Sequence, residues 1–314
     1  MSKRIAHRAR RWIALFGLAI GAGFLSGFAA TPAEPTPLRV GMPRAAFSNL
    51  NEADAAAAYR TLIISAARRR GYEVKPELVT FDELPALEAA VSEGTVQVCM
   101  LGTWQLFQTN IAEVADVAFV PASSGHVNRK LLLIARRGGR VQRVEDLRSS
   151  SVMLLREPRV NLAERWLDVL CLRAGLGLAA SAVQLDVVSR PNAALLPVFF
   201  GRSDACVVDE DSFATAAELN PQLRAQLITL AESEPLLDSV ICINRRGWPS
   251  EQHREDLIRS LADLHREPSG RQLLTMFRME RLNRYKIDLI ETVATLHREY
   301  VRLTGGGPAN PANR

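Results

Sequence analysis

Short apolar runs alternate with helical patterns along the first third of the chain, and this alternation constrains the fold more than any other feature. The runs 38–42, 72–78 and 96–100 have the length and apolar content of strands. Between them, residues 52–70 and 81–93 carry apolar side chains at helical spacing, and a glycine follows each segment. Strands that alternate with helices form parallel sheets with helices on both faces.

A second series of the same kind follows, and it predicts a second α/β unit inserted into the first. The predicted strands are 131–135, 151–155, 183–188 and 203–208, and the predicted helices are 161–173, 192–200 and 211–218. A strand at 239–244 then returns the chain to the first unit, which helices over 250–267, 269–276 and 287–303 complete.

These patterns predict an α/β fold with two lobes, each a mainly parallel sheet flanked by helices, joined by a hinge. Lobe 1 is predicted to comprise residues 38–134 and 238–303, and lobe 2 residues 135–237. The Gly/Pro/Asn-rich tail 304–314 is predicted to be disordered.

The N-terminus has the pattern of a signal peptide. Five basic residues and no acidic ones lie in the first eleven positions, an apolar run covers Trp12–Phe28, and small residues follow. We therefore predict a signal peptide over residues 1–30 and a Pro-rich linker over 31–37. A retained membrane anchor is the alternative, although the apolar run is shorter than the ~20 residues of a typical span.

Charge and cysteine usage exclude several classes of function. The net charge of the chain is +5, and without residues 1–30 basic and acidic residues balance at 34 each. The excess charge therefore belongs to the N-terminal segment and does not support nucleic-acid binding. Because the four cysteines form no C-x-x-C pair, no zinc or redox motif is present, and we predict neither a metal nor a cofactor.

The order of segments resembles that of type II periplasmic solute-binding proteins, and more narrowly the phosphate/phosphite/phosphonate-binding components of ABC transporters. The stretches that carry the resemblance are LRVGMP (38–43), TVQVCMLGTWQLF (95–107), KLLLIARR (130–137), VEDLRSSSVML (144–154), FGRSDACVVDEDSF (200–213) and LADLHREPSGRQLL (261–274). The chain departs from the family pattern at two places. Gln97 stands where an Asp is usual, and residues 159–163 lack the usual hydroxyl side chains.

The resemblance implies a monomeric periplasmic protein that closes over a small anionic solute, such as a phosphonate or another oxyanion, and presents it to an ABC permease. An alternative is a ligand sensor that signals to a membrane histidine kinase, because one branch of the family resembles arsenite sensors that use a cysteine. An exported enzyme is less favoured, since the chain has no G-x-S-x-G, H-E-x-x-H or phosphate-cradling motif. A membrane-tethered interaction protein with an empty cleft is a further alternative.

Ligands of open α/β sheets bind beyond the carboxyl ends of the strands, and this rule selects four loops. The loops are 42–48, 102–105, 156–161 and 209–212, and we expect them to face one another across a cleft. Together with one strand cysteine, they supply the candidate ligand-binding residues: Pro43, Arg44, Cys99, Gly102, Thr103, Trp104, Arg156, Asn161, Asp209 and Asp211.

Each candidate also has a structural interpretation. Trp104 could wall a pocket or pack in the core, and Asp209 and Asp211 could contact a ligand or cap the next helix. Arg44 and Arg156 could bind an anion or lie solvated on the surface.

Cys99 could contact a soft oxyanion through its thiol or be an ordinary buried strand residue. Disulfides pairing Cys99 with Cys242, or Cys171 with Cys206, are a third possibility.

Overall fold

The computed structural model describes residues 35–47, 51–156 and 162–305. The predicted signal peptide, Asn161 and the tail beyond residue 305 lie outside these ranges. Within them, none of the helices combines the length and apolar character that a membrane span requires.

The first part of the chain builds most of one lobe. Its elements are β1 (Thr36–Pro43), α1 (Glu52–Arg68), β2 (Val74–Phe81), α2 (Leu84–Ser92), β3 (Val98–Gly102), α3 (Thr103–Phe107), α4 (Ile111–Val114) and β4 (Ala115–Ala122). Helix α1 begins at Asn51, whose side-chain oxygen accepts hydrogen bonds from the backbone N–H groups of Ala53 and Asp54. Such a cap satisfies donors that have no partner within the helix.

A two-residue strand, β5 (Asn128–Arg129), then leads into the second lobe. The elements there are β6 (Leu131–Arg136), β7 (Ser151–Leu155), α5 (Ala163–Arg173), α6 (Ala179–Ala182), β8 (Gln184–Val188), α7 (Pro191–Phe199), β9 (Ala205–Asp209), α8 (Glu210–Leu219), α9 (Pro221–Gln226) and β10 (Leu227–Glu232). Strand β9 is completely buried, as its unbroken apolar run predicts for a central strand.

The chain returns through β11 and completes the first lobe. The remaining elements are β11 (Leu236–Leu237), β12 (Ser239–Asn244), α10 (Glu251–Ala262), α11 (Pro268–Met276), β13 (Arg281–Arg284) and α12 (Glu291–Thr304). The elements from β1 to α12 belong to one compact unit.

The two-lobed α/β prediction is confirmed, but the sheets are mixed rather than mainly parallel. Lobe 1 has the strand order β13-β4-β12-β3-β1-β2, and only β1-β2 and β1-β3 are parallel pairs. Lobe 2 has the order β10-β6-β9-β7-β8, and only its β7-β8 and β7-β9 pairs are parallel. Four of the antiparallel pairs arise because β6 and β12, the strands that follow the two crossings between lobes, enter their sheets in the reverse direction. The fifth is the pair of β13 with β4.

The lobes are joined by two crossover segments, which pair as an antiparallel two-stranded sheet of β5 and β11. The predicted first boundary, between residues 134 and 135, is wrong because it falls inside β6, which pairs with lobe 2 strands from Leu131 onward. The predicted second boundary follows directly after β11.

Candidate functional site

A cavity of about 410 Å³ lies at the crossover between the two sheets. Its walls come from the first crossover segment, the start of α8, the second crossover segment and β13. The lining residues are Gly125, His126, Val127, Asn128, Arg129, Lys130, Glu210, Asp211, Pro235 and Asn283. The volume falls in the range of about 300–1,000 Å³ that is usual for small-molecule sites.

Arg129 is the central charged residue of this cavity. Its side chain is only 9% exposed, and its Nη1 donates to Asp211 Oδ2 at 2.5 Å. The same nitrogen lies 3.9 Å from Asp209 Oδ1, and Nη2 donates to the Ser123 carbonyl at 3.3 Å. Arg129 therefore joins the chain before the crossover to the first turn of α8 in lobe 2.

The Arg129 guanidinium still has N–H groups that can donate to a ligand after these contacts. A guanidinium has five N–H donors, and the two hydrogen bonds to Asp211 and Ser123 use two of them. Among the described residues, the Arg129 side chain makes no other hydrogen bond. Its remaining donors match the planar pattern that carboxylate or phosphoryl oxygens accept.

Two neighbouring polar residues complete the cavity wall. Lys130 forms an ion pair with Glu232, and this contact raises the pKa of the lysine. Asn128 Oδ1 is buried and accepts no hydrogen bond from any described residue. A buried polar atom without a partner costs about 1–3 kcal/mol, so a bound ligand that donates to Asn128 Oδ1 would remove this cost.

The fourth predicted loop is the one that reaches this cavity. Asp211 lines it, as part of the ion pair with Arg129. Asp209 instead caps α8, because its carboxylate accepts from the backbone N–H of Ser212 at 2.9 Å and from the Ser212 hydroxyl at 2.6 Å. Asp209 is therefore a buried helix cap, which is the structural alternative to its predicted role as a ligand residue.

The described residues of the first and third predicted loops, 42–47 and Arg156, do not line the cavity. Arg44, next to Pro43 at the end of β1, is exposed and forms ion pairs with Glu52 and Asp82. Arg156 is exposed and pairs with Glu164 Oε2 at 2.5 Å. Both arginines are paired with acids of their own lobe, and Asn161 lies outside the described residues.

The second predicted loop, residues 102–105, is hydrogen-bonded to the second crossover segment and does not line the cavity. Gly102 precedes α3, and its N–H donates to Gln105 Oε1 at 2.9 Å. Thr103 is completely buried, its hydroxyl donates to the Leu237 carbonyl at 2.5 Å, and its N–H donates to the Asp238 carbonyl at 2.9 Å. These bonds hold the start of α3 against the second crossover segment.

Trp104 packs in the core against α12. Its ring meets His297 with centroids 4.8 Å apart and Tyr300 with centroids 5.3 Å apart, both edge to face. The side chain is 9% exposed, and Trp104 does not line the crossover cavity. An aromatic cluster of this kind contributes to stability through buried area and ring geometry.

The position of His297 predicts a pH-dependent stability. Its ring lies between Trp104 and Phe107, and burial lowers its pKa. A histidine with a lowered folded-state pKa stabilises the fold fully above its unfolded pKa of about 6.5, and this contribution is lost as the pH falls toward the folded value. We expect the melting temperature to fall between pH 7.5 and 5.5, and to fall less for His297→Gln. Equal pH dependence in both proteins would contradict this placement.

Cys99 lies opposite Cys242 in the register of β3 and β12, and both are buried. A hydrogen bond to Cys99, together with burial, raises the pKa of Cys242 well above its ordinary value. Burial likewise raises the pKa of Cys171 to about 11. All four cysteines are free thiols, and Cys99 does not line the crossover cavity, so this placement gives no support to a thiol–ligand contact.

Gln97, one of the two departures from the pattern of the resemblance, has a structural role just before β3, at the end of that strand away from the cavity. Its Oε1 accepts from the Arg39 N–H at 2.8 Å, and its Nε2 donates to the Gly94 and Gly247 carbonyls at 3.1 Å each. The side chain is buried and joins β1, the end of α2 and the loop after β12.

Sequence reasoning missed Arg129, the nearly buried arginine in the wall of the cavity. The available signal was a pair of basic residues, Arg129 and Lys130, directly before the apolar strand 131–135. His126 also lines the cavity and is exposed. In the described parts of the chain, no group of three or more His, Cys, Asp or Glu side chains is arranged to hold a metal ion.

Solved structures with the same fold include several binding proteins. A Xanthomonas citri protein bound to ATP has a TM-score of 0.61 at 13% identity, covering 86% of this chain and 98% of its own. A binding protein component of an ABC phosphonate transporter from Pseudomonas aeruginosa has a TM-score of 0.56 at 13% identity, covering 89% and 90%. PhnD1 from Prochlorococcus marinus in complex with methylphosphonate has a TM-score of 0.53 at 13% identity, covering 84% and 98%.

At these identities the likeness shows the fold alone. No curated protein sequence matches the chain. A family model, described as the periplasmic substrate-binding protein of phosphonate ABC transporters, matches residues 45–288. This match spans most of the chain and includes the crossover cavity, the lobe 2 sheet and every strand of the lobe 1 sheet except β1. The chain therefore belongs to the family of periplasmic substrate-binding proteins of phosphonate ABC transporters.

Proposed function

We propose that this protein binds a small oxyanion in the crossover cavity and delivers it to a membrane ABC permease. Membership of the family implies a small-molecule ligand, a permease partner and a periplasmic location. The N-terminal signal pattern agrees with that location, and we propose that it directs export. One observation carries the choice of site. The guanidinium of Arg129 has N–H donors left after its hydrogen bonds to Asp211 and Ser123, and it lies in a cavity of suitable volume.

The charge distribution supports an anion that is held by few groups. Arg129 keeps unused donors, whereas Asp211 already shares its charge with Arg129. Glu210, which also lines the cavity, has no ion pair with any described residue and would repel a second negative charge. We therefore propose a small oxyanion such as a phosphonate, and we take methylphosphonate as the probe because PhnD1 was solved with it.

Binding of methylphosphonate by isothermal titration calorimetry tests this proposal. We expect Arg129→Gln to weaken binding about tenfold or more, because a hydrogen bond to a charged group contributes about 1.5–3 kcal/mol. Arg129→Lys, which keeps the charge but loses the planar donor pattern, should have an intermediate effect. Circular dichroism and thermal melting establish that each variant is folded.

Arg156→Gln is the matched control, because Arg156 is a predicted ligand residue that does not line the cavity. Its affinity should equal that of the wild type. If Arg156→Gln weakens binding and Arg129→Gln does not, the ligand lies instead at the strand-end loops. Absence of binding to methylphosphonate, inorganic phosphate and ATP by the wild type would contradict the proposed function itself.

No observation favours the sensor alternative. That alternative requires a cysteine that contacts the ligand, whereas Cys99 is buried in a central strand opposite Cys242.

A further inference from the structure

Helix α12 contacts both lobes at once. On the lobe 1 side, His297 stacks on Phe107 of α3 with ring centroids 5.2 Å apart, and Trp104 meets both His297 and Tyr300. On the lobe 2 side, the helix packs along α5. There the Arg173 Nε donates to Glu299 Oε1 at 2.7 Å.

The apolar core is continuous through the same helix. Val293 and Leu296 of α12 are buried in one cluster with Trp104 of α3 and Trp166 of α5. The predicted assignment of residues 287–303 to lobe 1 is therefore incomplete, because the helix belongs to the packing of both lobes.

The start of α12 is attached to the wall of the candidate ligand cavity. The Thr292 hydroxyl donates to the Pro235 carbonyl at 2.6 Å, and Pro235 lines the cavity. The helix thus runs from the crossover to the contacts with α3 and α5.

A rotation of lobe 2 about the crossover strands carries α5 with it, whereas α3 stays with lobe 1. Because α12 cannot follow both, opening must break one of its two interfaces. The polar contacts to α5 reach the solvent, since the Arg173 side chain is 55% exposed and Arg165 Nη1 lies 3.5 Å from the Tyr300 hydroxyl. On the α3 side, the buried Trp104 ring contacts both His297 and Tyr300.

We infer that α12 is an interlobe clamp that holds α5 toward α3, and that the lobes open when α12 releases α5. The Arg173–Glu299 pair is then the outer contact of the clamp, and its loss favours the open form. The inference rests on the proposed function only in assuming that the lobes move, and it is tested without any solute.

Single-molecule energy transfer between dyes on the two lobes measures the opening. Ser92→Cys at the end of α2 and Ser181→Cys in α6 supply exposed labelling sites, each just before a strand begins and hence far from the crossover. The four native cysteines are buried, and the parent protein without the added cysteines checks that they stay unlabelled.

Glu299→Gln removes the charge of the pair while keeping the shape of the side chain. We expect the ratio of the extended to the compact population to rise about two- to fivefold, as the loss of a partly exposed ion pair predicts. Glu291→Gln is the matched control, because the one ion pair that Glu291 forms with a described residue is to Arg298 of the same helix. It should leave the distribution unchanged.

An unchanged distribution in Glu299→Gln, or an equal change in Glu291→Gln, would overturn the clamp. A protein that binds methylphosphonate normally but shows no effect of Glu299→Gln would keep the proposed function and lose the clamp. A protein that shows the population shift but binds none of the three probes would keep the clamp and lose the proposed function.

Discussion

Replacing Trp104 with alanine should lower the free energy of unfolding by about 3–5 kcal/mol, which is the usual cost of truncating a buried tryptophan. The ring is 9% exposed and contacts His297 and Tyr300, so its removal leaves a cavity between α3 and α12. Urea unfolding followed by circular dichroism gives the change, provided that the slope of the transition is unchanged.

Trp104→Phe is the control, because it keeps an aromatic ring at the same place and should cost clearly less. A Trp104→Ala protein with wild-type stability but no affinity for methylphosphonate would show that this ring walls the ligand pocket. That result would restore the interpretation of Trp104 as a ligand residue and contradict its placement in the core.

Gly247→Ala should destabilise the protein by about 2–5 kcal/mol. Gly247 has φ +79°, a conformation that costs other residues about 1–2 kcal/mol, and an added Cβ would lie 2.0 Å from the Gly94 carbonyl oxygen. Because that neighbour is backbone, relief requires the loop after β12 to move away from the end of α2, which adds an overpacking cost of about 1–3 kcal/mol.

Gly71→Ala separates the two contributions. Gly71 has φ +77°, but no heavy atom lies within 4 Å of its added Cβ, so only the conformational cost of about 1–2 kcal/mol applies. Chemical denaturation of both variants measures the difference. Equal losses of stability would show that the close approach of Gly247 to Gly94 does not constrain the loop.

The lobes and most of the elements could be predicted because their signals are local. The run 131–135 and the helical spacing over 161–173 are visible within a single segment, and β6 and α5 lie there. Strand β13 could not be found in this way, since Arg281–Arg284 has no apolar alternation and forms a strand by pairing with β4.

The site was harder to predict, because burial and pairing decide which charged residue can bind. Arg44, Arg129 and Arg156 look alike in the sequence, yet only Arg129 is almost buried and lines a cavity. Its partner Asp211 is 82 positions away, and no local pattern connects the two.

The sequence by itself determined the two-lobed α/β order of this protein, because hydrophobic periodicity is written into consecutive residues. Only the tertiary structure decided that Trp104 packs against α12, that Cys99 faces Cys242 and that Arg129 reaches Asp211. Each of these contacts joins residues more than 80 positions apart, and the crossing of the chain between the lobes sets which of them meet.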